Sequence, residues 1–378
     1  MTEENRRSFM KKVGVSSMLA TGAMVNLNPR ALGANDRIQL CLVGGHNRGP
    51  QVASDAVKHG GFIRSLCDID DAIIREKSEA IAKMQGNPPE GVKKYKDVLE
   101  DDRIDAVILA TPDHWHAIQT IQACQAGKDV YVEKPLCHTI HEGQQMVKAA
   151  RKFNRVVQIG TQRRSGPHFQ SAVEFVASGK LGDICLMKAW MCQVRGDLGN
   201  PPNEPVPEGV DYDAWLGPAP KRPFNPLRFH YNWRFFWDYC NSEQGNQGVH
   251  MLDICMWAIQ EMRGEINTLP TKVSGHADIY WLNDAKEVPD TQIVSYDFGD
   301  FMLSWELHSF QRHIPLEGVN AGMAFYGTDA SLLFTRNGWH AIGEDGKEIA
   351  SDKPAGGSHA QQFFEAMKTR SRPNADIE

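Results

Sequence analysis

Residues 41–53 read CLVGGHNRGPQVA. An apolar run meets a glycine-rich turn, and Pro50 then stands where a helix would begin. Two glycines of the pattern G-x-G-x-x-G are present as Gly44 and Gly49, and His46 takes the middle place. The first glycine closes the turn, and the third lets helix and strand approach. The second brings the backbone close to a pyrophosphate. With His46 there the match is imperfect, and glycine-rich turns are common. The next apolar run, GFIRSLCD, adds weight because it ends at Asp68, 19 residues after Gly49. A carboxylate at that place accepts hydrogen bonds from ribose hydroxyls and repels a 2′-phosphate, which favours NAD over NADP. The alternative is that Asp68 caps the following helix. On the nucleotide reading, the cofactor contacts are Gly44, His46, Asn47, Arg48, Gly49 and Asp68.

The alternation continues outward from this turn. Residues 50–59 and 71–84 fit helices, and IDAVILA is a third strand. Asp113 can cap a helix that stops before Gly127. DVYVE, HEGQQMVKAARKF and RVVQIG follow as strand, helix and strand. Strands this apolar between helices predict a parallel sheet covered on both faces, with ligands beyond the strand C-termini. Two of those ends carry unusual residues: ATPDHWH at 110–116 and VYVEKPL at 130–136. Glu133 and Lys134 end a buried-looking strand, so each needs solvent or a partner, the simplest being each other.

After Gly160 the pattern changes. Residues 200–226 contain eight prolines, and seven aromatics follow between Phe229 and Tyr239. Residues 247–262 fit a helix, and alternating segments such as QIVSYDF and FMLSWEL indicate an antiparallel sheet between Thr271 and Ile349. SHAQQFFEAMKTR is a last amphipathic helix.

The chain carries a formal charge of −6. That excludes the cationic surface nucleic-acid binding needs. The eight cysteines include no C-x-x-C pair and read as buried thiols, and no metal is expected. At the N-terminus, NRRSFMKK precedes the weakly apolar VGVSSMLATGAMV and small residues near Ala34. This is the order of a twin-arginine export segment over residues 1–34, and the apolar run is too short for a stable membrane span. Export through the twin-arginine machinery to the periplasm is the expectation. A basic N-terminus of a cytosolic enzyme is the alternative.

Taken together, the glycine turn, Asp68, ATPDHWH, VEKP and GNQGVHMLD resemble the glucose-fructose oxidoreductase / inositol dehydrogenase / rhizopine catabolism (Gfo/Idh/MocA) family. The resemblance implies an α/β chain with a Rossmann dinucleotide-binding domain, here residues 35–160. An α/β domain with an open, mostly antiparallel sheet follows over 161–378 and serves substrate binding and oligomerisation. It also implies an NAD(P)-dependent sugar or polyol oxidoreductase that forms dimers or tetramers. By position, Thr111 and Pro112 line the cofactor crevice and His116 steadies their loop. Glu133 and Lys134 lie by the nicotinamide ribose, with a cis bond before Pro135. Gln162 faces the cofactor and Arg163 the substrate. The family's D-x-x-x-H pattern reads N-Q-G-V-H, so Asn246 replaces the Asp and His250 is kept. The resemblance implies a further segment past SRPNADIE, so whether the chain is truncated after Glu378 stays open.

His250, Asp253 and Trp257 share one helical face, which either serves the site or simply packs. Asn246 cannot hold an imidazolium by charge. His250 is therefore expected to have a lower pKa than in Asp-bearing relatives, with Lys134 sharing more of the proton transfer. In FHYNWRFFWDY, the side chains of Tyr231, Trp233, Arg234 and Trp237 suit a carbohydrate, as does Asp253 beyond it; some of the aromatics must instead be core. The expected reaction is hydride transfer between a sugar, glycoside or polyol hydroxyl and tightly bound NAD. Redox-neutral glycoside cleavage or epimerisation through a keto-sugar is one alternative, and a non-catalytic sugar or nucleotide sensor is another.

Overall fold

The apolar runs of the first half form six strands, all parallel: β1 (Ile38–Val43), β2 (Gly61–Cys67), β3 (Glu90–Val92), β4 (Ala106–Leu109), β5 (Asp129–Val132) and β6 (Val157–Ile159). The sheet order is β3-β2-β1-β4-β5-β6, so the order reverses between β1 and β4. Ligands bind beyond the strand C-termini at such a reversal. The computed structural model describes residues 37–378 except 267, 314, 316 and 317. The expected twin-arginine segment lies outside the described residues.

Helices α1 (Arg48–Lys58), α2 (Asp71–Gln85), α4 (Asp113–Gln125) and α5 (Ile140–Lys152) cover the sheet, with a short α3 at Tyr95–Leu99. The cover buries both faces: Leu40, Leu42 and Ile108 lie in one core and Cys41, Val107 and Leu109 in another. Helix α1 starts two residues before Pro50, and Asn47 at its N-cap has φ of 47°. Thr139 and Glu142 form a capping box on α5 that the sequence reading passed over. The strand β3 and helix α3 were also not anticipated; three residues with little apolar content give no periodic signal.

The second sheet has eight strands: β7 (Ile184–Cys192), β8 (Lys272–Asp278), β9 (Thr291–Asp297), β10 (Met302–His308), β11 (Ala321–Gly327), β12 (Ala330–Thr335), β13 (Gly338–Gly343) and β14 (Glu348–Asp352). Their order is β14-β13-β12-β11-β7-β10-β9-β8. All pairs are antiparallel except β7 with β10, which is parallel. Helices α6 (Pro167–Ala177) and α8 (Val249–Arg263) pack on one face over Met187, Leu303, Trp305 and Phe325. The opposite face leaves Ile293, Met302 and Tyr326 exposed.

Two connections tie the sheets together. The proline-rich stretch is ordered and carries a short α7 (Tyr212–Leu216). The carbonyl of Trp215 accepts from Trp115 Nε1 at 2.9 Å, and His114 Nε2 lies 3.0 Å from it. Four of the following aromatics, Phe229, Phe235, Phe236 and Tyr239, join α7 in a core of their own. The last helix, α9 (His359–Thr369), was expected in the second domain. It packs instead on the first, where Ala360, Phe363 and Phe364 share a core with Leu40 and Ala56. Its amphipathic pattern showed that it must pack, but not on which sheet. Among the described residues no helix is long and apolar enough to cross a membrane.

Candidate active site

Two adjoining cavities open at the reversal between β1 and β4. The larger, about 430 Å³, is lined by Gly44, His46, Asp68, Pro112, Trp215 and His230, among others. The smaller, about 210 Å³, is lined by Asp113, Glu133, Lys134, Asn246 and others. Asn47, Arg48, Thr111, Trp233 and Arg234 line both.

The turn is as tight as a dinucleotide cradle requires. Gly44 has φ of +90°, and a Cβ there would sit 2.7 Å from the Ala110 carbonyl oxygen. A Cβ on Gly49 would sit 2.1 Å from the Gly44 oxygen. Asp68 is positioned by the turn itself: its Oδ2 accepts from Gly45 N at 2.7 Å and its Oδ1 from Asp70 N at 3.1 Å. His46 stacks on His230, with ring centroids 4.7 Å apart and planes 12° apart. His230 Nε2 in turn lies 3.0 Å from Asp70 Oδ2. The buried Nδ1 of His46 has no protein partner. These features fit a dinucleotide: closed glycine positions, a placed acidic group, and an unpartnered polar atom in the cavity wall. Lys93, Lys94 and Lys96 also line the Asp68 end, and Lys93 is paired with Asp71 at 3.0 Å.

His116 bridges two motif loops, its Nδ1 lying 2.7 Å from the Pro135 oxygen and its Nε2 2.8 Å from the Thr111 oxygen. Thr111 Oγ1 donates to Gln119 Oε1 at 2.7 Å. The Lys134–Pro135 bond is cis. Glu133 and Lys134 do not pair side chain to side chain. Arg48 Nε donates to Glu133 Oε1 at 2.9 Å, while Lys134 Nζ donates to the Asn246 backbone oxygen at 2.8 Å and to its Oδ1 at 2.9 Å.

That pair of bonds explains why Asn stands at 246. Asn246 Nδ2 faces both carboxylate oxygens of Glu243 at 3.3 and 3.4 Å, and Glu243 Oε2 accepts from Arg195 at 2.7 Å. An amide presents its oxygen to the ammonium and its NH₂ to the carboxylate. An aspartate would set two carboxylates against each other. The neighbouring Glu243 and Arg195 escaped the sequence reading because they lie 3 and 51 residues from Asn246, in no recognised motif.

Asp113 was expected to cap its helix. The N-cap is Pro112, and the Asp113 carboxyl is buried in the wall of the smaller cavity with Oδ1 unpartnered. Burial pushes this carboxyl well above the usual carboxylate range, against the attraction of Lys134 and Arg234. Burial likewise lowers the Lys134 ammonium, while Glu133 and Asp113 raise it. A carboxyl raised in the folded state holds a proton that the unfolded chain has already lost, so its contribution to stability falls as pH rises from the ordinary carboxylate range towards neutrality. The thermal midpoint of Asp113→Asn relative to wild type is therefore expected to grow by roughly 2–4 °C from pH 4 to pH 8. An equal difference at both pH values would mean that Asp113 titrates ordinarily.

His250 is buried behind Asn246, lines neither cavity, and has an unpartnered Nδ1. It is held well below its ordinary pKa, first by burial and then by the positive charges of Lys134, Arg163 and Arg48.

Several expected site residues lie elsewhere. Gln162 is exposed and lines neither cavity. Asp253 is gripped by Arg164, whose Nε lies 2.9 Å from both carboxylate oxygens, because the α8 face carrying it turns away from the crevice. Trp237 is 48% exposed and Tyr231 41%, and Tyr231 instead serves as a platform for Arg234, 4.1 Å from its ring centroid. Arg163 lines a third cavity with Phe169. Among the described residues no cluster of three His, Cys, Asp or Glu could hold a metal ion.

The fold and crevice define a dinucleotide-binding protein of the Rossmann class. Residues 38–161 match the Gfo/Idh/MocA oxidoreductase family's NAD-binding Rossmann fold, and residues 188–301 match that family's C-terminal α/β domain. The chain belongs to this family, and its first domain is an NAD-binding domain. It is 30% identical over 131 residues to a scyllo-inositol 2-dehydrogenase (NAD(+)) of Bacillus subtilis, covering 35% of this chain and 37% of that one. It is 28% identical over 206 residues to a glycosyl hydrolase family 109 protein of Shewanella pealeana, covering 48% of this chain and 44% of that one. The matched part thus spans less than half the length of these curated relatives. Among solved structures, levoglucosan dehydrogenase in complex with NADH and levoglucosan superposes with a TM-score of 0.67 at 18% identity, covering 90% of this chain and 92% of that one. The WlbA dehydrogenase of Bordetella pertussis superposes with a TM-score of 0.65 at 18% identity, covering 90% and 91%.

Proposed function

We propose that this protein oxidises a hydroxyl of a sugar, glycoside or polyol, using NAD that stays bound. The observation that carries the reading is Lys134, held by Asn246 in the wall of a cavity continuous with the dinucleotide crevice. Bound NAD supplies the hydride acceptor. Two N–H groups of Lys134 are fixed by Asn246, so the neutral amine keeps its lone pair for the proton of a substrate hydroxyl. Burial lowers Lys134 and so brings it closer to a pKa at which it can exchange a proton near neutrality. The ammonium so formed is held by the two Asn246 oxygens and gives its proton to solvent when product leaves, while buried His250 stays neutral. Arg48 neutralises Glu133, which keeps that carboxylate from holding Lys134 as a fixed ion pair. Trp233 and Arg234 close the outer side.

The resident cofactor joins this chemistry to Arg6 and Arg7. A twin-arginine tag carries folded proteins, so the chain takes up NAD in the cytoplasm and reaches the periplasm loaded. The exposed Ile293, Met302 and Tyr326 on the open sheet face support a homo-oligomer. The similarity to proteins named glycosyl hydrolase family 109 favours a second reading, redox-neutral glycoside cleavage through a keto-sugar at the same site.

The test is to denature exported protein and identify the released nucleotide by chromatography and mass. About one NAD per chain is expected. An empty protein would overturn the resident-cofactor reading, and NADP would show that Lys94 and its neighbours outweigh Asp68.

A further inference from the structure

The larger crevice cavity has walls of two origins. Gly44, Asp68 and Thr111 belong to the strand ends of the first sheet, whereas Asp211, Trp215 and His230 come from one stretch of the second half. Residues 209–234 therefore cross the dinucleotide site as a strap. One end is fastened by backbone: Asp211 N donates to the Ile69 oxygen at 2.9 Å and Asp71 N to the Gly209 oxygen at 3.2 Å. Just past the other end, Asn241 Nδ2 donates to the Cys137 oxygen at 2.7 Å. Between these points the strap meets the glycine turn where the His230 ring stacks on His46. His46 is the residue that stands in place of the pattern's middle glycine. A glycine would offer the strap no ring.

Other contacts hold the stack in place. His230 has φ of 56°, which non-glycine residues seldom adopt, so the contacts of its ring keep it there. The carboxylate oxygen Oδ2 of Asp70 accepts from His230 Nε2 at 3.0 Å, which fixes the tautomer. Asp70 is itself fixed at the N-cap of α2, where its Oδ1 accepts from Ala72 N at 2.8 Å. Burial lowers both imidazoles, and two neutral rings stack without repulsion. None of these contacts needs a nucleotide to form. We propose that the His46–His230 stack, anchored by Asp70, is a latch: it closes residues 209–234 over the dinucleotide, and its opening sets the rate at which NAD enters and leaves. The histidine in the glycine turn then serves retention. This rests on the reading that NAD stays bound.

Nucleotide exchange on the full chain tests this. Bound nucleotide is replaced by NADH, and its release is followed by NADH fluorescence during a chase with excess NAD. Equilibrium titration with NADH gives the affinity. His46→Gly restores the glycine of the pattern, so an ordinary dinucleotide turn would bind as well or better. The latch predicts the opposite: release about tenfold faster in His46→Gly and in His230→Ala, because each removes the ring pair. A latch slows entry and exit alike, so affinity should stay within about threefold. His46→Phe keeps a ring on His230 and should release as slowly as wild type. His46→Gly changes a turn residue and keeps the test open where His230→Ala loosens the packing of the strap. Release unchanged in both variants overturns the proposal. So does an affinity that falls as far as release rises, which marks a plain contact, or a His46→Phe that releases as fast as His46→Gly. Wild type that exchanges within seconds removes the resident-cofactor reading, and the ratio between variants and wild type still decides the latch.

Discussion

Replacing Lys134 with methionine is expected to lower kcat by about 10³-fold while leaving NAD on the protein. Methionine keeps the length of the side chain and removes its three donors. The cavity wall survives, because the dinucleotide crevice is built mainly by the glycine turn, Asp68 and the Thr111 loop. The proton on the reacting hydroxyl then has no amine to accept it, and His250 lines neither crevice cavity to replace it. Steady-state rates with a panel of sugars, glycosides and polyols, beside nucleotide content after denaturation, check both halves. A kcat within tenfold of wild type would remove Lys134 from the chemistry. Wild-type protein that binds sugar and NAD but never changes nicotinamide absorbance would favour the sensor reading.

The second large effect is on stability. Arg195 and Glu243 form an ion pair at 2.7 Å, with side chains 11% and 2% exposed. Arg195→Met leaves the Glu243 carboxylate buried with only the long contacts to Asn246. The loss is expected to be roughly 3–5 kcal/mol, read from the urea midpoint and slope. Arg195→Met with Glu243→Leu should recover most of it, because no charge is then left unpaired. A single variant as stable as wild type would show that water reaches Glu243. The double variant should still turn over slowly, since Asn246 loses the carboxylate that orients its amide towards Lys134.

The one departure from the family pattern in the reacting group thus has a structural reason. Asn246 stands between an ammonium and a carboxylate and satisfies both through opposite ends of one amide. Reading N-Q-G-V-H alone, the change looks like a loss of charge. In the folded chain the negative charge is present, three residues earlier, on Glu243.

By itself, the sequence determined whatever is local. The glycine spacing, the acidic end of β2, the two motif strand ends and the alternation of apolar runs specified the Rossmann domain and its crevice. These depend on backbone sterics and on a repeat that neighbouring residues carry. Asp253 fell on the predicted face of α8, and only packing showed that this face meets Arg164 rather than the crevice. Asp113 was visible in PDHWH, but only the closed structure showed its carboxyl buried in the cavity wall shared with Lys134 and Asn246 rather than capping the helix. The last helix announced an apolar stripe and left its partner open until it closed over Leu40 and Ala56. Tertiary structure decided these because the partner in each case lies far along the chain. Periodicity records that a side chain must be buried, while which group meets it depends on how the two sheets close.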